Sequence, residues 1–383
     1  MSIEENGVIK VLIPDGESHL TVSVINCLQQ TKNIQLYILS ATKNNPARVS
    51  AFVHKFILDV STIDDDFQFR NSINAIIENY KINVLMPVFE FGIKRIIKIK
   101  SELSPRVRIV PLPNLSTFDI ANNKWNLYQH CVQAKIFVPR SYHTYELREN
   151  NEKIEKYPLV TKPLEGFGGG LGISLIHNQE ELRHFLSRNK EPRIFQNYIK
   201  GYDIDCSLLA INGKIMSYTI QRGIIQNDNS FKPSKGIIFE ENQVLFDLVQ
   251  NLIASLQYTG IAHIDLRFDT VEKTYKILEI NPRIWLTIMG SYKAGINFVL
   301  QWIEAAYHIF PEKTEAYAHQ SYFNRKRDII KKVLKSPKLL LDSNFFKKQT
   351  PFSFMLRDPF PVFYRALDSF KNVVVRKIRK IQR

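Results

Sequence analysis

Up to residue 88 the chain alternates short β-rich runs with helical ones; beyond residue 115 it pairs neighbouring β-rich runs around tight turns. No single layer accommodates both patterns. The β-rich runs at 8–13, 35–39, 56–59 and 84–88, with helical runs after Ser18 and over 67–80, predict a parallel, doubly wound α/β layer. Parallel neighbours need a long crossover, and a helix supplies it. The stretch Val110-Pro111-Leu112-Pro113-Asn114 reads as a linker and places a domain boundary near residue 115. A chain of 383 residues, 44% of them hydrophobic, is long enough for two or three domains and apolar enough to pack them.

Past the boundary, runs at 159–162 and 173–176 flank a glycine-rich loop, and Asn178 with Glu181 is a helix-capping pair. Runs 205–211 and 214–221 around Asn212-Gly213 read as a hairpin, because Asn-Gly suits a type I′ turn. A helix over 240–257, a second strand pair over 260–269 and 274–280, and a helix over 296–308 follow. The expected units are 1–115, 116–200 with the glycine loop, 201–320, and a basic, helical extension over 321–383.

The formal net charge of +15 is unevenly placed. Residues 321–383 hold 17 Lys and Arg against 4 Asp and Glu, whereas residues 1–320 hold 35 against 33. The excess basic charge is interleaved with Phe, Leu, Ile and Val. Such a segment suits an anionic membrane surface or a protein partner, or else is a solvated helical appendage. No nucleic-acid-binding motif accompanies the charge, which argues against that partner. Cys27, Cys131 and Cys206 are too scattered for a disulfide framework or a CxxC site. The polar start and the lack of a bilayer-length apolar run lead us to expect an intracellular protein.

Two local patterns carry chemistry. Lys162 ends a β-rich run and is followed by five glycines within residues 166–172. Glycines allow close backbone approach to a phosphate, and lysine adds a point charge. The spacing matches neither Walker A nor GxGxxG, so the loop by itself is either a phosphate cradle or a flexible turn. The second pattern is His263-Ile264-Asp265-Leu266-Arg267 with Leu278-Glu279-Ile280-Asn281-Pro282-Arg283. Strand residues two apart share a face, so Glu279 and Asn281 point together and Asp265 can join them from the preceding strand. That all-oxygen set suits Mg²⁺, with Arg283 able to reach a phosphoryl group; alternating acids on a strand are otherwise simply solvated. Glu17 and Glu90, at carboxyl ends of the early strands, are substrate-contact candidates or solvated loop carboxylates.

The order and spacing of the two patterns resemble the ATP-grasp superfamily, in particular its carbamoyl-phosphate-synthase-like carboxylate–amine ligases, over about residues 1–310. The resemblance implies a pre-ATP-grasp α/β domain followed by a two-subdomain α+β ATP-grasp fold. Lys124 and Lys162 would contact ATP phosphates under a loop containing Gly166, Gly168, Gly169 and Gly170. Gln196, Asn197 and Ile199 would form the adenine-reading hinge and Asp203 would hold the ribose. Asp265, Glu279 and Asn281 would bind Mg²⁺ or Mn²⁺, while Arg283 and Lys162 would be catalytic. A glutamate commonly opens this hinge and Gln196 stands here, which shifts adenine recognition toward the backbone of Asn197 and Ile199. Arg222 and His263 are substrate or phosphate candidates, or structural partners.

The implied reaction is ADP-forming: a carboxylate activated as an acyl phosphate and captured by an amine, both small molecules. The alternatives are another phosphoryl-activating enzyme, such as a phosphotransferase or a carboxylase, and a nucleotide-binding regulatory or membrane-docking protein. Neither the substrates nor the oligomeric state leaves a decodable pattern.

Overall fold

The computed structural model describes residues 7–62, 65–149, 154, 156–166, 170–224, 231, 234, 236–311 and 317–381. Strands β1 (Ile9–Ile13), β2 (Ile34–Ser40), β3 (Val53–Leu58), β4 (Val84–Leu85) and β5 (Arg108–Ile109) form a parallel sheet in the order β3-β2-β1-β4-β5. Helices α1 (Thr21–Leu28), α2 (Asp66–Tyr80) and α3 (Glu90–Ile99) make the crossovers. The doubly wound expectation holds, with β3 starting three residues before the β-rich run at 56–59. Asp65 fixes the start of α2, its Oδ1 accepting from the Phe67 and Gln68 N–H groups at 2.8 and 3.0 Å.

Helices α4 (Leu115–Asn122) and α5 (Lys124–Gln133) lead to a four-stranded sheet. It contains β6 (Ser141–His143), followed by α6 (Thr144–Glu149), then β7 (Leu159–Pro163) and β8 (Ser174–Ile176). After α7 (Gln179–Arg188) comes β9 (Arg193–Asn197), and the strand order is β6-β9-β7-β8. The expected cap forms: Asn178 Oδ1 accepts from Glu181 N–H at 2.9 Å while Glu181 Oε2 accepts from His177 N–H at 2.8 Å.

A six-stranded sheet is built from β10 (Gly201–Ile211), β11 (Lys214–Gly223), β12 (Ile237–Phe239), β13 (Gly260–Asp269), β14 (Thr274–Asn281) and β15 (Ser321–Tyr322). Its order is β14-β13-β10-β11-β12-β15. Asn212 and Gly213 take φ of 48° and 78°, as a type I′ turn requires. Helix α8 (Gln243–Ser255) covers one face. The helix expected over 296–308 forms as α10 (Phe298–Ala305), and a further helix, α9 (Ile288–Ala294), precedes it and ends at Gly295, whose φ is 119°.

Two segments differ from their sequence reading. The 110–114 stretch is packed: Val110 is buried, and the Pro111 carbonyl accepts from Trp302 Nε1 at 2.8 Å. One hydrophobic core runs from Ile9, Val11 and Val24 to Trp285, Phe298 and Trp302, joining the parallel sheet to α9 and α10. The segment from residue 321 begins as a sheet strand, then continues through α11 (Lys326–Lys335), α12 (Ser343–Lys348), α13 (Phe352–Arg357) and α14 (Phe360–Ile381). Phe354 is fully buried in that core and Asp358 accepts from Ser50 Oγ at 2.5 Å, so this segment is anchored before α14 begins. All three cysteines are buried thiols. Among the described residues, no helix is long and apolar enough to cross a membrane.

Candidate functional site

Antiparallel register brings the site together. Gln221, Asp205, Asp265 and Glu279 lie opposite one another across β11, β10, β13 and β14, forming one transverse row. Thr219, Ser207, His263 and Asn281 form the next. A bulge at Asp265/Leu266 leaves Leu278 as the extra residue of β14. Asp265 and Glu279 can therefore face each other while Leu278 lines a cleft with Lys124, Leu127 and Gln196.

The carboxylates are crowded. His263 Nε2 lies 3.1 Å from Asp265 Oδ1 and 3.9 Å from Asp205 Oδ2, and its Nδ1 pairs with Ser207 Oγ at 2.8 Å. Trp285 stacks on the same ring, with centroids 5.8 Å apart. Single ligand atoms of Asp205, His263 and Asp265 lie within 4.8 Å of one another. Burial, then the neighbouring Asp265 charge, push Asp205 up to about 8, and burial likewise raises Asp265. Burial would lower the His263 value, but its bond to Asp265 and the two aspartate charges outweigh this and raise it. Burial also opposes ionisation of Glu279, yet Lys124 and Lys162 overcome it and hold its carboxyl well below the usual carboxylate range.

Cations approach from the four-stranded sheet and α5. Lys124 Nζ sits 3.2 Å from Glu279 Oε2, although sequence alone would make this lysine a surface residue. Asn123 caps α5 and its Nδ2 donates to Glu165 Oε1 at 3.0 Å, while Lys124 N–H donates to the Leu164 carbonyl at 2.9 Å. These bonds tie α5 to the loop after β7. Lys162, on β7, is buried, and burial lowers its pKa against the pull of Glu279. Gly166 and Gly170 take φ of 66° and 79°, in the left-handed region; Gly168 and Gly169 lie outside the described residues.

At the expected hinge, Gln196 is buried and its Nε2 donates to Ser141 Oγ at 3.3 Å. Gln196 Oε1 and Asn197 Oδ1 are buried without a hydrogen-bond partner among the described residues. The Asn197 N–H is taken by the Arg140 carbonyl, whereas the Ile199 carbonyl accepts from Arg267 Nε at 2.8 Å. Arg267 also donates to the Gly201 carbonyl at 2.8 Å and pairs with Asp203, which is exposed. It thus staples the hinge to the carboxylate beyond it.

Arg283 reaches back to the parallel sheet. Its Nε donates to Glu90 Oε1 at 2.6 Å, its Nη2 to Asn281 Oδ1 at 3.0 Å, and its Cζ lies 5.6 Å from the Phe89 ring centroid. Asp15 accepts from the Val88 and Phe89 N–H groups, fixing the loop that carries Glu90. Glu17 instead accepts from Ala41 N–H at 3.3 Å, and Arg222 pairs with Glu240 at 3.0 Å. Sequence reading missed Asp205, Gln221 and Arg267. The available signal was alternation: Asp203 and Asp205 share a face of a strand adjoining 260–269.

A family model described as an ATP-grasp domain matches residues 121–287. The large chain of carbamoyl phosphate synthase from Clostridium perfringens is 22% identical over 219 residues, covering 52% of this chain and 20% of its own length. The chain thus spans about a fifth of such relatives. N5-carboxyaminoimidazole synthetase from Staphylococcus aureus superimposes with a TM-score of 0.65 at 14% identity, over 87% of this chain and 86% of that one. An L-amino acid ligase from Bacillus licheniformis gives 0.59 at 17% identity, over 79% and 74%. Both likenesses are of fold. The carboxylate rows, the lysines beside them and the glycine-bearing turn after β7 all lie within the stretch, residues 121–287, that matches the ATP-grasp domain model and is similar in sequence to part of the carbamoyl phosphate synthase large chain.

Proposed function

We propose that the protein is an ATP-dependent carboxylate–amine ligase, releasing ADP and phosphate. The observation that carries this reading is the opposition of buried Lys162, on β7, and half-buried Lys124, on α5, to the Asp205, Asp265 and Glu279 row. Cations beside oxygen donors suit a polyphosphate held through a divalent ion. The residues fit both groups. The donor set is all oxygen apart from His263, and Gln196 Oε1 and Asn197 Oδ1 are buried acceptors, unpartnered among the described residues, that an exocyclic amine would satisfy.

In this reading Asp265, Glu279 and Asn281 hold Mg²⁺ or Mn²⁺, and Asp205 holds Asp265 in place. Bound metal offsets negative charge on the phosphates. Lys124 and Lys162 contact phosphate oxygens, residues 166–172 close over them, and Gln196, Asn197 and Ile199 surround the base. Asp203, oriented by Arg267, takes the ribose hydroxyls. Arg283, braced by Glu90, faces the acid being activated. The carboxylate oxygen bonds to the γ-phosphorus as the bond to ADP breaks; the amine nitrogen then bonds to the acyl carbon, loses a proton, and phosphate departs. The partners are small molecules, and the compartment is intracellular.

The test is calorimetric titration of the full chain with a non-hydrolysable ATP analogue, with and without Mg²⁺, alongside Lys162→Ala and Asn281→Ala. Metal-dependent binding weakened by both changes supports the site, and a screen of acid and amine pairs for ADP release then identifies the reaction. ADP release that needs a carboxylate but no amine would favour another phosphoryl-activating enzyme, and no binding by folded wild type would remove the nucleotide site.

A further inference from the structure

Helix α14 is amphipathic the wrong way round for a packed helix. Its polar side meets the body: Tyr364 Oη donates to Asn44 Oδ1 at 2.7 Å, Asn44 Nδ2 donates to Asp368 Oδ1 at 3.0 Å, and Arg365 reaches the His19 carbonyl at 3.5 Å. Pro361 is buried against the same side. Phe360, Phe363, Leu367 and Phe370 are 54, 63, 63 and 68% exposed. At 100° per residue these four fall within an arc of about 80°, on the side of the helix away from Pro361, Arg365 and Asp368, with Tyr364 at its border. The sequence continues the same spacing at Val374, Ile378 and Ile381.

A contiguous exposed aromatic stripe marks an interaction surface. Charge decides which kind. Residues 360–381 contain six basic residues, Arg365, Lys371, Arg376, Lys377, Arg379 and Lys380, and one acid, Asp368, already bound to Asn44. Two copies of this helix seam to seam would oppose basic residues with no acid to offset them. An anionic surface offers both an apolar interior and opposite charge.

We infer that α14 docks the protein on an anionic lipid surface, lying in the headgroup plane with Phe360, Phe363, Leu367 and Phe370 turned into it. The anchored segment before it, held by Phe354 in the core and by Asp358 on Ser50, fixes the body at the membrane. This inference is independent of the chemistry proposed for the nucleotide site.

The test is co-sedimentation of the full chain with phosphatidylcholine vesicles and with vesicles carrying about one-third phosphatidylglycerol. Partitioning is expected on the anionic vesicles only and to fall at least about ten-fold in about 0.5 M salt. Phe363→Glu with Phe370→Glu should abolish it while leaving the thermal midpoint and nucleotide-analogue binding unchanged. Should that variant unfold, Arg376→Gln, Lys377→Gln, Arg379→Gln and Lys380→Gln together supply the second arm and should weaken partitioning about ten-fold. Equal binding to neutral vesicles, or undiminished binding by a folded variant, would overturn the inference. So would a wild-type dimer that the Phe363 and Phe370 changes dissociate, or retention of RNA in place of vesicles.

Discussion

Arg283, two residues past the end of β14, donates to Glu90, at the start of α3, across 193 residues of chain and 2.6 Å of space. The pair couples the parallel sheet to the carboxylate rows of the six-stranded sheet. Glu90 Oε2 is buried without a partner among the described residues, so its charge is compensated mainly through Arg283.

Replacing Glu90 by Gln keeps its size and removes that charge. Arg283 would then be held less firmly beside Asn281, where the proposed function puts the acid. Steady-state kinetics, once substrates are found, should show kcat/KM down about ten- to a hundred-fold, with ATP-analogue affinity within about two-fold. An equal loss in both would place Glu90 in nucleotide binding.

Asp205 stands opposite both Gln221 and Asp265 and shares His263 with the latter. Asp205→Asn removes one carboxylate from the row while preserving its shape. Calorimetry should show analogue affinity down about ten-fold with Mg²⁺ and little changed without it. Unchanged affinity in both conditions would place Asp205 outside the metal's influence.

Arg267 makes three contacts from one guanidinium, to the Ile199 and Gly201 carbonyls and to Asp203. Lysine keeps the charge and loses the fork. Arg267→Lys should weaken the analogue about ten-fold and speed amide exchange over residues 199–203; unchanged exchange there would show that the hinge holds without it.

Burial raises Asp15 from 3.8 to about 7, against bonds from the Phe89 and Val88 N–H groups. Between those two values the native chain binds more protons than the unfolded one, so this group's contribution to stability falls as pH rises from about 4 to about 7. Asp15→Asn still accepts both N–H bonds and cannot ionise. Its thermal midpoint should decline less steeply than that of wild type over the same range, and parallel curves would contradict the assignment.

Gly92 packs against Asp15 so closely that an added Cβ would lie 2.2 Å from Oδ2 and 2.7 Å from Asp15 Cβ. Gly92→Ala should therefore lower stability by about 2 kcal/mol or more, read by denaturant titration, because the carboxyl is pinned by two backbone bonds and has nowhere to move.

Much of the fold was legible locally. The parallel layer followed from alternating strand and helix signals, the 210–215 turn from Asn212-Gly213, and the start of α7 from Asn178 with Glu181. Each depends on backbone preferences within a few residues. Helix α9 was harder to see, because its seven residues offer less than two full turns of periodicity. The packed state of 110–114 was invisible, since its proline pattern is the same whether or not Trp302 lies against it.

For the site, sequence spacing alone determined that Glu279 and Asn281 share a face and that a lysine precedes a glycine-rich turn; both follow from strand periodicity and from glycine's freedom at positive φ. Only the tertiary structure decided that Lys124 meets Glu279, that Asp205 completes the row, that Arg267 clamps residues 199–203, and that α14 turns its phenylalanines outward. Those relationships depend on register between strands and on which face each helix finds occupied. Both are set by the packing of residues tens to hundreds of positions apart, and no local pattern encodes them.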